Sequence, residues 1–170
     1  GDIVGFVAKP DFRLGDTVSE DPSIVFKAIP RFAPESFAFL RNPSPAKYKP
    51  FRKGIEQLLA EDIVQVFTLV KPFDPHNLLL GAVGPLQYEV LQYRLKEEYG
   101  AESQLEMQPW QLLRWVECDL GDSELADSLS YGVGLARDDQ GRRVLLFLSE
   151  WLLQNFQENR PTVRLLESPA

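Results

Sequence analysis

The stretch Asn77–Gly100, NLLLGAVGPLQYEVLQYRLKEEYG, constrains the fold of this chain more than any other. Residues 78–83 form a continuous apolar run, the pattern of a strand buried on both faces. Gly84 and Pro85 end it. Proline has a fixed φ and no N–H to lose, so Pro85 suits the first turn of a helix. That helix should run to Tyr99 and stop at Gly100, a natural cap residue. Helical spacing puts Leu86, Val90 and Tyr93 on one side. Tyr88, Leu91 and Leu95 fall on nearly the opposite side. A helix apolar on two sides is expected to be covered twice, by a sheet containing 78–83 and by C-terminal residues. Val90 and Leu91 should then both be buried. The competing reading leaves the aromatic rings of one side over the surface.

The neighbouring segments supply partners for this unit. A strand is expected near Ser36–Leu40. Asn42-Pro43-Ser44-Pro45 reads as a loop. A helix follows over about 50–61, with Phe51, Ile55, Leu58 and Leu59 on its apolar face. Gly54 inside it costs about 1 kcal/mol relative to alanine, which close packing against a neighbour would explain. Residues 63–70 are rich in β-branched side chains and predict a strand. After the central helix, 103–107 and 112–118 read as strand interrupted at Pro109. Strand, helix, strand, strand, helix, strand is the split βαβ order. It predicts an α+β, ferredoxin-like two-layer domain: a four-stranded antiparallel sheet with two helices on one face. The tail adds a β/α extension: a helix at 122–130, strands at 133–137 and 144–148, a helix capped by Ser149, and a last strand at 162–166. Residues 1–29 read as short strands (3–7, 17–18, 24–26) separated by turns at Gly15-Asp16 and Asp21-Pro22.

The LGAVGPLQYEVLQYRLKEEYG block, with FRKGIEQLLAEDIVQVF before it and RWVEC after it, resembles the C-terminal domain of peptide chain release factor 3. This family of translational GTPases removes codon-reading release factors from the ribosome. The resemblance covers nearly the whole chain, most clearly 31–118. GDIVGF and LGDTV are similar to the end of the β-barrel that follows the GTP-binding domain in translational GTPases. The resemblance therefore implies 1–30 as the end of that barrel and 31–170 as the release-factor C-terminal α/β domain. Ala28–Phe37, with Pro30, Arg31 and Pro34, would be a stiff junction between them. About 30 residues cannot close a barrel, so that piece should need partners. The chain opens inside a strand-like pattern without an initiator methionine, and so reads as part of a longer one. Elongation factor G and a stand-alone ferredoxin-like ligand-binding regulatory domain are the alternatives.

The residues restrict the chemistry. No GxxxxGK[ST] phosphate loop occurs, and Lys53-Gly54 has the wrong order inside a helix. No cofactor is expected here; the resemblance places GTP and Mg²⁺ on a domain absent from these residues. His76 is the only histidine and sits in an expected turn. With Cys118 the only cysteine, neither a Cys/His zinc site nor a nucleophilic triad has support. Cys118 reads as a small buried hydrophobe in a protein of the reducing cytosol. Asp127, Asp138 and Asp139 lack the spacing of a calcium loop. An acylphosphatase-type site would need a glycine-rich loop where Arg41-Asn42-Pro43-Ser44-Pro45 stands. The chain is therefore expected to bind rather than catalyse, and no apolar run is long enough to span a membrane.

Charge marks where it would bind. The net charge is −7, yet 31–54 holds six basic residues and one acid, leaving −12 for the remainder. Arg41, Lys47, Lys49, Arg52 and Lys53 gather around a helix N-terminus, where cations oppose the macrodipole but can converge with free amides on one phosphate. They are the candidate contacts for the small ribosomal subunit, its protein and its RNA. The resemblance implies the GTP-binding domain as a further partner, decoding release factors as indirect ones, and a cytoplasmic location. A merely solvated basic face is the competing reading.

Overall fold

The computed structural model describes residues 2–5, 16–26, 32–72 and 78–169. β1 (Ser36–Arg41) leads through a short 3-10 turn (Pro45–Lys47) into α1 (Tyr48–Ala60). β2 (Gln65–Lys71), β3 (Leu78–Ala82), α2 (Pro85–Tyr99) and β4 (Gln104–Gln108) follow. The strands pair in the order β4-β1-β3-β2, every pair antiparallel. This is the split βαβ arrangement that the element order predicts. The central helix has the expected bounds. Pro85 opens it, Gln87 Oε1 accepts the Val83 amide at 2.7 Å, and Gly100 closes it at φ 62°.

α1 and α2 cover one face of this half-sheet. Ile55 and Leu58 of α1 and Tyr88, Leu91 and Leu95 of α2 pack on Ala38, Leu40 and Leu80. The Tyr88 hydroxyl donates to Ser36 O at 2.6 Å, and burial pushes its pKa up to about 12. Only this side of α2 is covered. Leu86, Val90 and Tyr93 are exposed, so the expected burial of Val90 and a second covered side is wrong.

The C-terminal block lies elsewhere because it finds a better partner. It comprises β5 (Leu112–Glu117), α3 (Asp122–Asp127), β6 (Val133–Asp138), β7 (Arg143–Phe147), α4 (Glu150–Asn159) and β8 (Arg164–Leu166). β6 pairs with β2, so the sheet continues β2-β6-β7-β5-β8. A strand of unpaired peptide groups satisfies more of them on a sheet edge than over the back of a helix. The break at Pro109 is accordingly a passage between two half-sheets, not a flaw in one strand. Trp110 is buried there and Gln111 N donates to Phe147 O at 2.9 Å.

The two half-sheets face each other. One buried cluster holds Phe37, Phe39, Phe67 and Leu79 of the first half with Leu113, Trp115, Val144 and Leu146 of the second, and no helix enters it. β1 and β5 are five strand positions apart, about 24 Å in a flat sheet. Phe37 and Trp115 could not both be buried on an uncovered flat face, yet they are 0% and 3% exposed. The sheet therefore bends over at the β2–β6 pair. A register shift there, Leu69 opposite Ala136 and then Lys71 opposite Leu135, supplies the bulge that sharpens the twist. α3 and α4 cover the outer face of the second half, with Leu125, Leu153 and Phe156 on Val133, Leu135, Leu145 and Phe147.

Residues 2–5 and 16–26 carry no strand, in contrast to the strands expected at 3–7, 17–18 and 24–26. The turn at Asp21 forms as expected, with Asp21 O accepting from Ile24 N at 3.1 Å and Asp21 Oδ1 from Ser23 N at 2.9 Å. A strand needs a neighbour for its peptide groups. Among the described residues, Ile3, Val4, Val25 and Phe26 instead stand in solvent. Phe6, Val7, Gly15, Pro30 and Arg31 lie outside the described residues. Pro34 is buried, and the nearby Glu35 N donates to Ala82 O at 3.0 Å. A Cβ on Gly81 would sit 2.8 Å from Pro34 Cγ. Pro34 is thus locked to the domain's own sheet.

A candidate anion-binding surface at the start of helix α1

All five sequence-predicted contact residues are exposed and lie between the end of β1 and the second turn of α1. Local sequence explains the entry. Asn42 Oδ1 accepts from Ser44 N at 3.0 Å, and Pro45 starts the 3-10 turn. Lys47 stands at the cap of α1 without a side-chain cap bond, and the first turn contains no acid. Gly54, Ile55 and Leu58 are buried under the helix, which turns Lys49, Arg52 and Lys53 outward.

The five are not equivalent. The Arg41 guanidinium lies 2.7 Å from the Glu106 carboxylate of β4. Arg52 Nε lies 2.8 Å from Glu56, one helical turn on. Both arginines are partly neutralised where they stand. Lys47, Lys49 and Lys53 have no ion pair with any described residue. Lys49 and Lys53 are four apart and share one row of the helix surface. Three uncompensated cations therefore flank the positive end of the helix macrodipole, an arrangement suited to phosphate oxygens. The Glu56 pairing was readable from spacing in the sequence. The Glu106 pairing was not, because it depends on β4 lying beside β1.

The other candidates resolve into structure. Asp138 Oδ1 accepts from Gln140 N and Arg142 N at 3.0 and 2.8 Å, and Oδ2 accepts from Trp115 Nε1 at 3.0 Å and Arg142 Nε at 2.8 Å. Burial works to raise its pKa. The Trp115 and Arg142 hydrogen bonds outweigh that and hold it below the ordinary aspartate value. Cys118 is half-buried against the outer cluster around Leu125 and Phe147. A cleft of about 290 Å³ at the end of α1 is lined by Glu56, Asp62, Gln65 and Asp139. Among the described residues no His, Cys, Asp and Glu group has the arrangement of a metal site, and no helix is long and apolar enough to cross a membrane. His76 lies outside the described residues.

Residues 26–157 match the family described as Class II release factor RF3, C-terminal domain. A peptide chain release factor 3 of Microcystis aeruginosa is 41% identical over 167 residues, covering 97% of this chain and 30% of the relative. That of Gloeobacter violaceus is 42% identical over 168 residues, covering 98% and 31%. That of Synechococcus elongatus is 41% identical over 167 residues, covering 97% and 29%. The chain spans about 30% of the length of the curated relatives it matches.

Proposed function

The chain belongs to the release factor 3 family, of which it carries the C-terminal domain, and from this we propose that it is a ribosome-binding and conformational-coupling unit of translation termination. It acts in the cytoplasm without catalysing a reaction itself. The GTP and Mg²⁺ chemistry belongs to a GTP-binding domain outside these 170 residues, which contain no phosphate loop. Decoding release factors are partners at one remove, through the movement that this unit relays. The folded-over sheet supports a relay role. Its halves share one buried cluster, so a push on α1 and one on α4 act on a single body.

The observation that carries the ribosome contact is the trio Lys47, Lys49 and Lys53, uncompensated by any described residue at the acid-free start of α1. RNA phosphates of the small subunit suit it, because such contacts position a protein without reading sequence. The test is co-sedimentation of the 170-residue chain with small ribosomal subunits over a range of salt. The variant carrying Lys47→Glu, Lys49→Glu and Lys53→Glu should keep its fold, bind more weakly and show a shallower salt dependence. Unchanged binding and salt slope would show that this surface faces only water. Calorimetric titration with GTP and Mg²⁺ should give no heat of binding, and saturation at micromolar nucleotide would refute the assignment of nucleotide chemistry elsewhere.

A further inference from the structure

The second half of the chain has a charge character opposite to that of α1. Residues 97–170 hold fourteen carboxylates, six arginines and no lysine, a net charge of −8 against +1 for residues 1–96. The six arginines are all engaged. Arg137, Arg142, Arg164 and Arg114 pair with Asp122, Asp138, Glu117 and Glu167. Arg143 donates to the carbonyls of Leu120 and Cys118, and Arg160 to that of Ser128. The carboxylates of Glu124, Asp127, Glu150 and Glu158 have no such partner among the described residues and are exposed.

Two large aromatic side chains stand in this acidic surface. Tyr131 is 96% exposed and Trp151 is 65% exposed. The other two tryptophans, Trp110 and Trp115, are buried. The backbone holds the exposed pair at one place. Gly132 has φ 86°, and a Cβ there would lie 2.8 Å from Leu152 Cδ1 and 3.0 Å from Leu148 Cδ1. Leu148 N donates to Gly132 O at 3.2 Å. The turn bearing Tyr131 is thus pinned against the first turn of α4, which bears Trp151 and Glu150. At its other end the segment leaving α3, after Asp127, is tied to the end of α4 by the Arg160–Ser128 hydrogen bond at 2.6 Å. That guanidinium also lies over the Phe156 ring, 5.9 Å from its centre, and is not presented to a partner.

We propose that Tyr131, Trp151 and the carboxylates of Asp127, Glu150 and Glu158 form a docking surface along α4 for a lysine- and arginine-rich protein segment. The chemistry selects this occupant. An aromatic face attracts a guanidinium or ammonium group through its quadrupole, and a carboxylate beside it completes the pairing. Trp and Tyr are the side chains that dominate interfaces when desolvated. Nucleic acid would meet a field of its own sign here. So would a second copy of the same surface. The surface is separate from the lysines of α1, so the two can be tested independently.

The experiment uses the intact ¹⁵N-labelled chain and a synthetic peptide of alternating arginine and leucine, with a glutamate–leucine peptide and a single-stranded RNA oligomer as controls. The arginine peptide should shift the Trp151 indole N–H signal and leave those of Trp110 and Trp115 in place. Tyr131→Ala with Trp151→Ala should weaken it by about tenfold or more, the loss of an interface anchor. Asp127→Asn with Glu150→Gln should weaken it and flatten its salt dependence. Both double variants change exposed side chains only, and each should melt with the parent. The proposal is overturned if no peptide binds at millimolar concentration, or if the aromatic variant binds as the parent does. A Trp151 shift with the RNA oligomer in place of the arginine peptide would overturn it as well.

Discussion

Gly54 of α1 lies directly against Tyr99 of α2: a Cβ on Gly54 would sit 2.7 Å from Tyr99 Cγ and 2.5 Å from Leu95 Cδ1. The contact explains why a helix accepts glycine at its centre. Gly54→Ala should gain about 1 kcal/mol of helix propensity and lose about 1–3 kcal/mol to overpacking, a small net destabilisation. Urea midpoints of the two proteins measure it. A more stable alanine variant would show that the two helices separate freely.

The two sides of α2 give a direct contrast. Leu91 is fully buried, whereas Val90 is 41% exposed. Leu91→Asp places an unpaired charge in the core and should abolish cooperative folding, since a domain's whole margin is about 5–15 kcal/mol. Val90→Asp should melt within about 1 kcal/mol of the parent. Thermal melts by circular dichroism distinguish them, and equal damage from both would mean that α2 is covered on its outer side.

Asp138 gives a pH dependence with a defined sign. Its folded pKa lies below the ordinary 3.8, so its contribution to stability is complete above that value. It is lost as pH falls from about 4 through the lower folded pKa. Asp138→Asn should be less stable than the parent at pH 7. The gap should shrink on acidification, because the uncharged amide has no such titration. Denaturant midpoints at pH 7 and pH 3 test this, and a constant gap would contradict it.

The basic surface should divide by residue. Arg41 already shares its charge with Glu106 at 2.7 Å. In the ribosome co-sedimentation assay Arg41→Ala should therefore weaken binding less than Lys49→Ala, with less change in salt slope. The reverse order would mean that Arg41 leaves Glu106 for the ribosome.

From Ser36 onward, the sequence by itself determined the local elements and the first half of the fold. Proline and glycine mark both ends of α2, and Ser149 Oγ accepts from Leu152 N at the start of α4. The apolar face of α1 is visible at Phe51, Ile55 and Leu58. These are short-range effects, carried by φ preferences, caps and periodicity. The order of six elements then leaves few topologies, and the split βαβ is the common one.

Tertiary structure decided the rest. Periodicity shows that Val90 and Leu91 lie on different sides of α2; it does not show which side finds a partner. The pairing of β6 with β2 settled that, because it joins residues some 70 positions apart through backbone bonds that carry no sequence signature. The same pairing folded the sheet over Phe37 and Trp115. It also fixed the charge map. Arg41 faces Glu106 only because β4 lies beside β1, and Tyr131 stands beside α4 only because Gly132 packs on Leu152. The identity of a side chain states what it can bind. Which neighbours leave it free to do so depends on contacts distant in sequence, and those are settled only when the chain is packed.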